Sequence, residues 1–173
     1  MTKSNIFNIM LIVVVAGSAA LGVALYQRQH ATGDVERTEA VEKEQISVFV
    51  PDEQGRLTRK VVDVQKKLTD KERADALLRE LKEARCVPDR LKLYELALGK
   101  DSVLYLNLSQ EFIDRNTPER EITMTYGIVN SFIESFRGVQ SVQILVEGQP
   151  VYTRSGVLYM LEPLRFNREL LEE

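Results

Sequence analysis

The sequence predicts an α+β fold, a mixed β-sheet backed by two α-helices and preceded by one transmembrane helix. Three observations predict it. Residues 6–26 carry no charge. Two later segments repeat apolar side chains at helical spacing behind clear start signals, and several short segments alternate apolar and polar residues with a period of two. The 173 residues are enough for one domain and an appendage. With 44% hydrophobic and 28% charged residues, the composition is that of a folded domain.

Residues 6–26, "IFNIMLIVVVAGSAALGVALY", contain Asn8 as their one strongly polar group. Roughly 20 apolar residues in helix span a bilayer core. Tyr26 falls at headgroup level, with Gln27, Arg28, Gln29 and His30 beyond it. A cleaved signal peptide is the competing reading, because Gly17, Ser18, Ala19 and Ala20 are small. The apolar run continues past them through Leu21, Val23 and Leu25, without the polar region a cleavage site needs. No cysteine lies near enough for a lipoprotein signal. The expectation is an uncleaved single-pass anchor in the inner (cytoplasmic) membrane. Residues 1–5 form a short cytoplasmic head, and the domain faces outside the cytoplasm. Residues 27–45 hold Asp34, Glu36, Glu39, Glu42 and Glu44 with almost no large apolar side chains. Such a stretch buries too little surface to offset the entropy of ordering, so it reads as an acidic linker. His30 lies there as a solvated side chain rather than a metal ligand.

The domain is expected over residues 46–166, with 167–173 as a C-terminal tail. "ISVFVP" at 46–51 alternates Ile46, Val48 and Val50; residues 52–55 turn the chain, and "LTRKVVDV" returns as a second strand. Thr69 and Glu72 stand at capping-box spacing before the first helix. Ala74, Leu77, Leu78, Leu81 and Ala84 share one side of it, while Asp75, Arg79, Lys82 and Glu83 face away. Cys86, Val87 and Pro88 end the helix. Strands follow near 91–98 and 102–108, joined by Gly99, Lys100 and Asp101. The second of these is apolar on most of both faces, so it belongs at the centre of the sheet.

The second helix starts at Thr117 as N-cap, with Pro118 in the first helical position and Glu119 and Glu121 at the positive end. It runs to about residue 136, and Gly138 stops it. Ile122, Tyr126, Val129, Ile133 and Phe136 form its main apolar stripe. "GVQSVQILVEGQP" then switches to a period of two, turns at Glu147-Gly148, and "VLYMLEPLRF" supplies a last extended piece.

The segments "VFVPDEQGRL", "ALLREL", "LYLNLSQEF" and "VQSVQILVEGQP", in this order over residues 46–164, resemble the GerMN domain family of spore-germination and sporulation proteins and bacterial envelope lipoproteins. The resemblance implies an α+β fold like the ring-building modules of envelope assemblies. It also implies an extracytoplasmic interaction module without catalytic activity. This chain holds one copy where the sporulation protein has two, and a helical anchor where family lipoproteins carry a lipid-bearing cysteine.

The residues themselves offer little chemistry. A net charge of −3 leaves no basic footprint for nucleic acid, and no aromatic and basic platform is present. One cysteine and one histidine rule out an internal disulfide, a multi-cysteine metal site and imidazole clusters. Ser109 has no Gly-x-Ser-x-Gly setting and no histidine as base. It reads as a serine bonding its own backbone at a strand end. Carboxylates are many, but nothing selects a pair as general acid and base. Cys86 lies beside Arg85, which favours a thiolate, yet its setting fits a packing residue better. No cofactor, metal, small-molecule substrate or nucleic acid is expected.

The second helix carries the unusual pattern. Opposite its main stripe lie Met124, Gly127, Ile128, Ser131 and Ser135, with few charges where a one-sided surface helix would be charged. Either the C-terminal "VLYMLEPLRF" folds over this face, or it is an interaction surface for an envelope protein or a second copy. The functional expectation is a membrane-anchored, extracytoplasmic protein-interaction or scaffold domain of the bacterial cell envelope, without enzymatic activity. The alternatives are a cell-wall ligand-binding sensor and a carboxylate-dependent cell-wall hydrolase.

Overall fold

The computed structural model describes residues 43–114, 117–152 and 155–172. The expected anchor at 6–26, the head and most of the linker lie outside these residues. Among the described residues no helix is long and apolar enough to cross a membrane.

β1 (Lys43–Pro51) and β2 (Leu57–Gln65) pair antiparallel along their whole length, from Lys43↔Gln65 to Pro51↔Leu57. Asp52 sets the turn between them: its Oδ1 accepts the backbone N–H groups of Gln54 and Arg56, each at 2.8 Å. Gly55 takes the left-handed conformation there, with φ 79°. The strand starts three residues before the expected domain boundary. Lys43, Glu44 and Gln45 therefore belong to the hairpin rather than to the linker, and Glu44 is held there by Arg73.

α1 (Asp70–Glu83) opens with both halves of the capping box. The Glu72 N–H donates to Thr69 Oγ1 at 3.2 Å, and the Thr69 N–H donates to Glu72 Oε2 at 2.8 Å. The latter bond holds the Glu72 carboxyl below its usual range. The helix ends before proline is reached. Arg85 turns left-handed at φ 54°, and the N–H groups of Arg85 and Cys86 bond back to the carbonyls of Lys82 and Leu81 at 2.8 and 2.9 Å. Leu77 and Leu81 are fully buried in the core, and the turn sends Cys86 in beside them.

β3 (Leu93–Leu98), β4 (Val103–Leu108), β5 (Ser141–Val146), β6 (Gln149–Pro150) and β7 (Leu164–Arg165) make a mixed sheet. Its order is β3-β4-β5-β6, with β7 also on β5. β4 lies between β3 and β5, the central place its two-sided apolar pattern predicts. β4 and β5 run parallel, connected through a 3₁₀ turn at Gln110–Ile113 and α2 (Pro118–Ser135). Register aligns Leu104, Leu106 and Leu108 with Val142, Ile144 and Val146, and this apolar face is buried. Glu147 and Gly148, both at positive φ, form the tight turn into β6.

Three features differ from the sequence reading. The first hairpin is a sheet of its own and does not join the larger one. The expected main stripe of α2 is only half-buried at Ile122, Tyr126 and Ile133, whereas Met124, Ile128 and Ser131 opposite it are fully buried. The last residues are part of the domain rather than a tail. The Leu57 N–H donates to Leu170 O at 2.7 Å, the Glu172 N–H donates to Leu57 O at 3.2 Å, and Phe166 meets Phe49 edge-on at 5.3 Å.

Candidate interaction site

The five residues singled out on α2 come together, but beneath the first hairpin. Ser131 and Ser135 are one turn apart, about 6 Å along the helix. Ser47 and Phe49 are two residues apart on β1, about 7 Å along the strand. The spacings match closely enough for each serine to meet one residue of the strand edge that β2 leaves free. Ser131 Oγ accepts the Phe49 N–H at 2.8 Å and donates to Gly127 O at 2.6 Å. Ser135 Oγ accepts the Ser47 N–H at 3.2 Å and donates to Ser47 O at 3.1 Å. One turn earlier, Gly127 lets the strand approach: a Cβ there would lie 3.1 Å from Phe49 O and 2.5 Å from Cys86 Sγ. Met124 and Ile128 are in the core.

The face is thus closed from within the chain, by β1 and not by the C-terminal segment. It offers nothing to a partner, and the interaction-surface reading of these five residues does not stand. The C-terminal segment closes a neighbouring flank. Asn130 exchanges two hydrogen bonds with the backbone of Asn167, at 2.9 and 3.0 Å, and Thr125 Oγ1 lies 3.9 Å from Met160 Sδ. The trace of this in the sequence is a Gly-x-x-x-Ser-x-x-x-Ser stripe, whose hydroxyls complement a strand edge.

The residues with reactive side chains are engaged in the fold. Cys86 is buried, which pushes its thiol up to about 12, against a smaller opposing effect of Arg120. Such a thiol is not a nucleophile near neutral pH. Ser109 bonds Lys92 across the β3–β4 pair rather than its own backbone, its Oγ accepting the Lys92 N–H at 2.9 Å. Among the described residues two acids are buried: Glu80 pairs with Lys60 at 3.1 Å, and Glu121 Oε2 accepts the Ser155 N–H at 3.2 Å while its Oε1 has no partner. Among the described residues no group of three His, Cys, Asp or Glu is placed to hold a metal ion.

One open groove runs along α1 and β3. A cleft of about 570 Å³ lies where the open ends of β1 and β2 meet the start of α1, the end of α2 and β3. Leu96, Leu98, Leu104 and Phe136 line it, together with Lys43, Lys66, Arg73 and Arg137 and the acids Glu44 and Asp70. Arg73 forks onto Glu44 at 2.9 and 3.0 Å and lies over the Phe136 ring at 5.9 Å. The hydrogen bonds from Arg73 hold the Glu44 carboxyl below its usual range against desolvation, with Arg73, Arg137 and Lys66 adding charge attraction. A second cleft of about 420 Å³ lies between α1 and the start of β3, with Arg79, Lys82 and Lys92 facing one acid, Asp75.

The chain matches the family Germane, described as sporulation and spore germination, over residues 47–152. Its fold is similar to that of the tandem GerMN domains of the sporulation protein GerM from Bacillus subtilis. The TM-score is 0.53 at 14% identity, and the match covers 64% of this chain and 42% of that one. The first GerMN domain of the same protein matches with a TM-score of 0.50 at 13% identity, covering 62% of this chain and 86% of that one. At such identities the likeness is one of fold. No curated protein matches the sequence. The family match runs from β1 to just past β6 and spans more than half of the chain, so this protein belongs to the Germane family of sporulation and spore germination.

Proposed function

We propose that this protein is a membrane-anchored scaffold of the bacterial cell envelope, whose domain faces outside the cytoplasm and binds other proteins without catalysing a reaction. The observation that carries the reading is the domain surface. Tyr94, Leu98, Tyr105, Tyr152 and Tyr159 stand exposed, on a body in which buried Ser109, Ser131 and Asn130 are committed to backbone groups. Exposed aromatic and apolar side chains are the common anchors of protein interfaces. The uncharged run at 6–26 supports a single-pass anchor in the inner membrane, and the acidic stretch after it supports a spacer. Family membership supports a role beside sporulation proteins such as GerM.

A crosslinker that reacts with amines and does not cross membranes tests location and association together. Added to intact spheroplasts, it should shift the full chain into adducts of higher mass through the exposed lysines of the domain. Adducts that form only after permeabilisation would place the domain inside, and no adducts in either case would leave it without a partner.

A further inference from the structure

β3 is the outer strand of the larger sheet, and no strand lies beyond it among the described residues. The Gly99 N–H donates to Val103 O at 2.8 Å. By the two-residue alternation of antiparallel pairing, Ala97 with Tyr105 and Glu95 with Asn107 then share the ladder bonds. The backbone N–H and C=O groups of Leu96 and Leu98 consequently point away from β4. The edges of the first hairpin are engaged within the chain. β1 is capped by Ser131 and Ser135, while β2 is met at Leu57 by the last residues and carries Arg59, Lys60 and Asp63 further along. Residues 96–98 of β3 are Leu-Ala-Leu, and the bulge between Leu93 and Glu95 lies before them.

The two clefts along α1 both border this strand, through Leu96 and Leu98 in one and Leu93 and Tyr94 in the other. Together their linings hold seven cations and three acids, in a chain whose net charge is −3. A second copy of this edge would bring the same cations face to face, a repulsive arrangement. An anionic polymer without backbone amides would leave the outward carbonyls of the strand without donors. A peptide strand supplies both donors and acceptors, and its alternate side chains would enter the groove.

We propose that the open edge of β3 is the docking site for an extended acidic segment of a partner protein, which adds as a further strand beside residues 96–98 and directs alternate carboxylates into the groove. This gives the scaffold reading a partner chemistry and rests on it.

The test uses the full-length protein in detergent micelles and a fluorescent acetylated (Glu-Val)4 peptide amide followed by anisotropy. The peptide should bind saturably, and (Lys-Val)4 should not. N-methylation at every other residue, in the phase that faces the edge, removes main-chain donors while keeping the charge and should weaken binding at least tenfold. Arg137→Glu should weaken it at least tenfold with an unchanged melting temperature. Leu98→Pro, which removes one outward donor from an edge position that tolerates proline, should weaken it comparably. The proposal is overturned if (Glu-Val)4 does not bind, if (Lys-Val)4 binds equally, or if neither variant matters. It is also overturned if both phases of N-methylated peptide bind as well as the parent, or if inorganic polyphosphate displaces the peptide charge for charge, since either marks a plain anion site. The crosslinking experiment does not depend on this edge. A peptide that fails to bind removes the edge site and leaves the scaffold reading standing, whereas missing adducts remove the scaffold reading and with it the partner role of the edge.

Discussion

Gly127 shows how tightly the hairpin is seated. Alanine in place of glycine favours a helix by about 1 kcal/mol. Here the added Cβ would meet Cys86 Sγ at 2.5 Å and Phe49 O at 3.1 Å, and overpacking of this kind costs roughly 1–3 kcal/mol. Sterics should win, so Gly127→Ala should lower stability in denaturant unfolding. Cys86→Ala alone should cost about 1 kcal/mol through a small cavity and leave function intact. The double variant should cost less than the sum, because removing the sulfur makes room for the new methyl; strict additivity would show that the contact carries no strain. Ser131→Ala leaves the buried Phe49 N–H without an acceptor and should cost about 1–3 kcal/mol. Glu44 gives a pH dependence. Its carboxyl is held below 4.5 in the fold, so its contribution is present above that value and is lost as pH falls through the lower folded one. Comparing wild type with Glu44→Gln across pH should show a stability gap at neutral pH that closes under strongly acidic conditions.

Among the elements, α1 was the most legible. Its capping box, apolar side and approximate end are encoded within a few residues of one another, at spacings a helix fixes. β4 and β5 were legible for the same reason, since a period of two states which side is buried. α2 was legible in its ends but not in its burial. The groups that cover its small residues are 82 and 88 positions away in sequence, and they are backbone groups, which leave no side-chain pattern to read. The same contact explains why the first hairpin forms a sheet by itself: the edge that would have joined β1 to other strands is taken by serines. The groove beside β3 was also illegible, because its cations come from β1, from α1 and from three separate loops. Asn130 ties α2 to the last residues, so Asn130→Ala should release them. Amides at 167–171 and Leu57 should then exchange with solvent markedly faster, while the β1–β2 ladder keeps its protection. Unchanged exchange would mean that Leu57 and Phe166 alone hold the segment.

The whole molecule has a folded body, described over residues 43–114, 117–152 and 155–172, and an apolar run at 6–26 that the sequence alone describes. With the proposed anchor, the partners available depend on which side of the membrane that body occupies. Its single cysteine provides a clean way to ask. Cys86 is buried with its thiol held protonated by burial, so it should stay silent toward maleimides in the folded protein. Lys100, exposed in the turn between β3 and β4, can be changed to cysteine without disturbing the core. A maleimide that does not cross membranes should label Lys100→Cys in intact spheroplasts, on a chain that keeps residues 6–26. Labelling only after permeabilisation, or a mature chain that has lost those residues, would contradict the account.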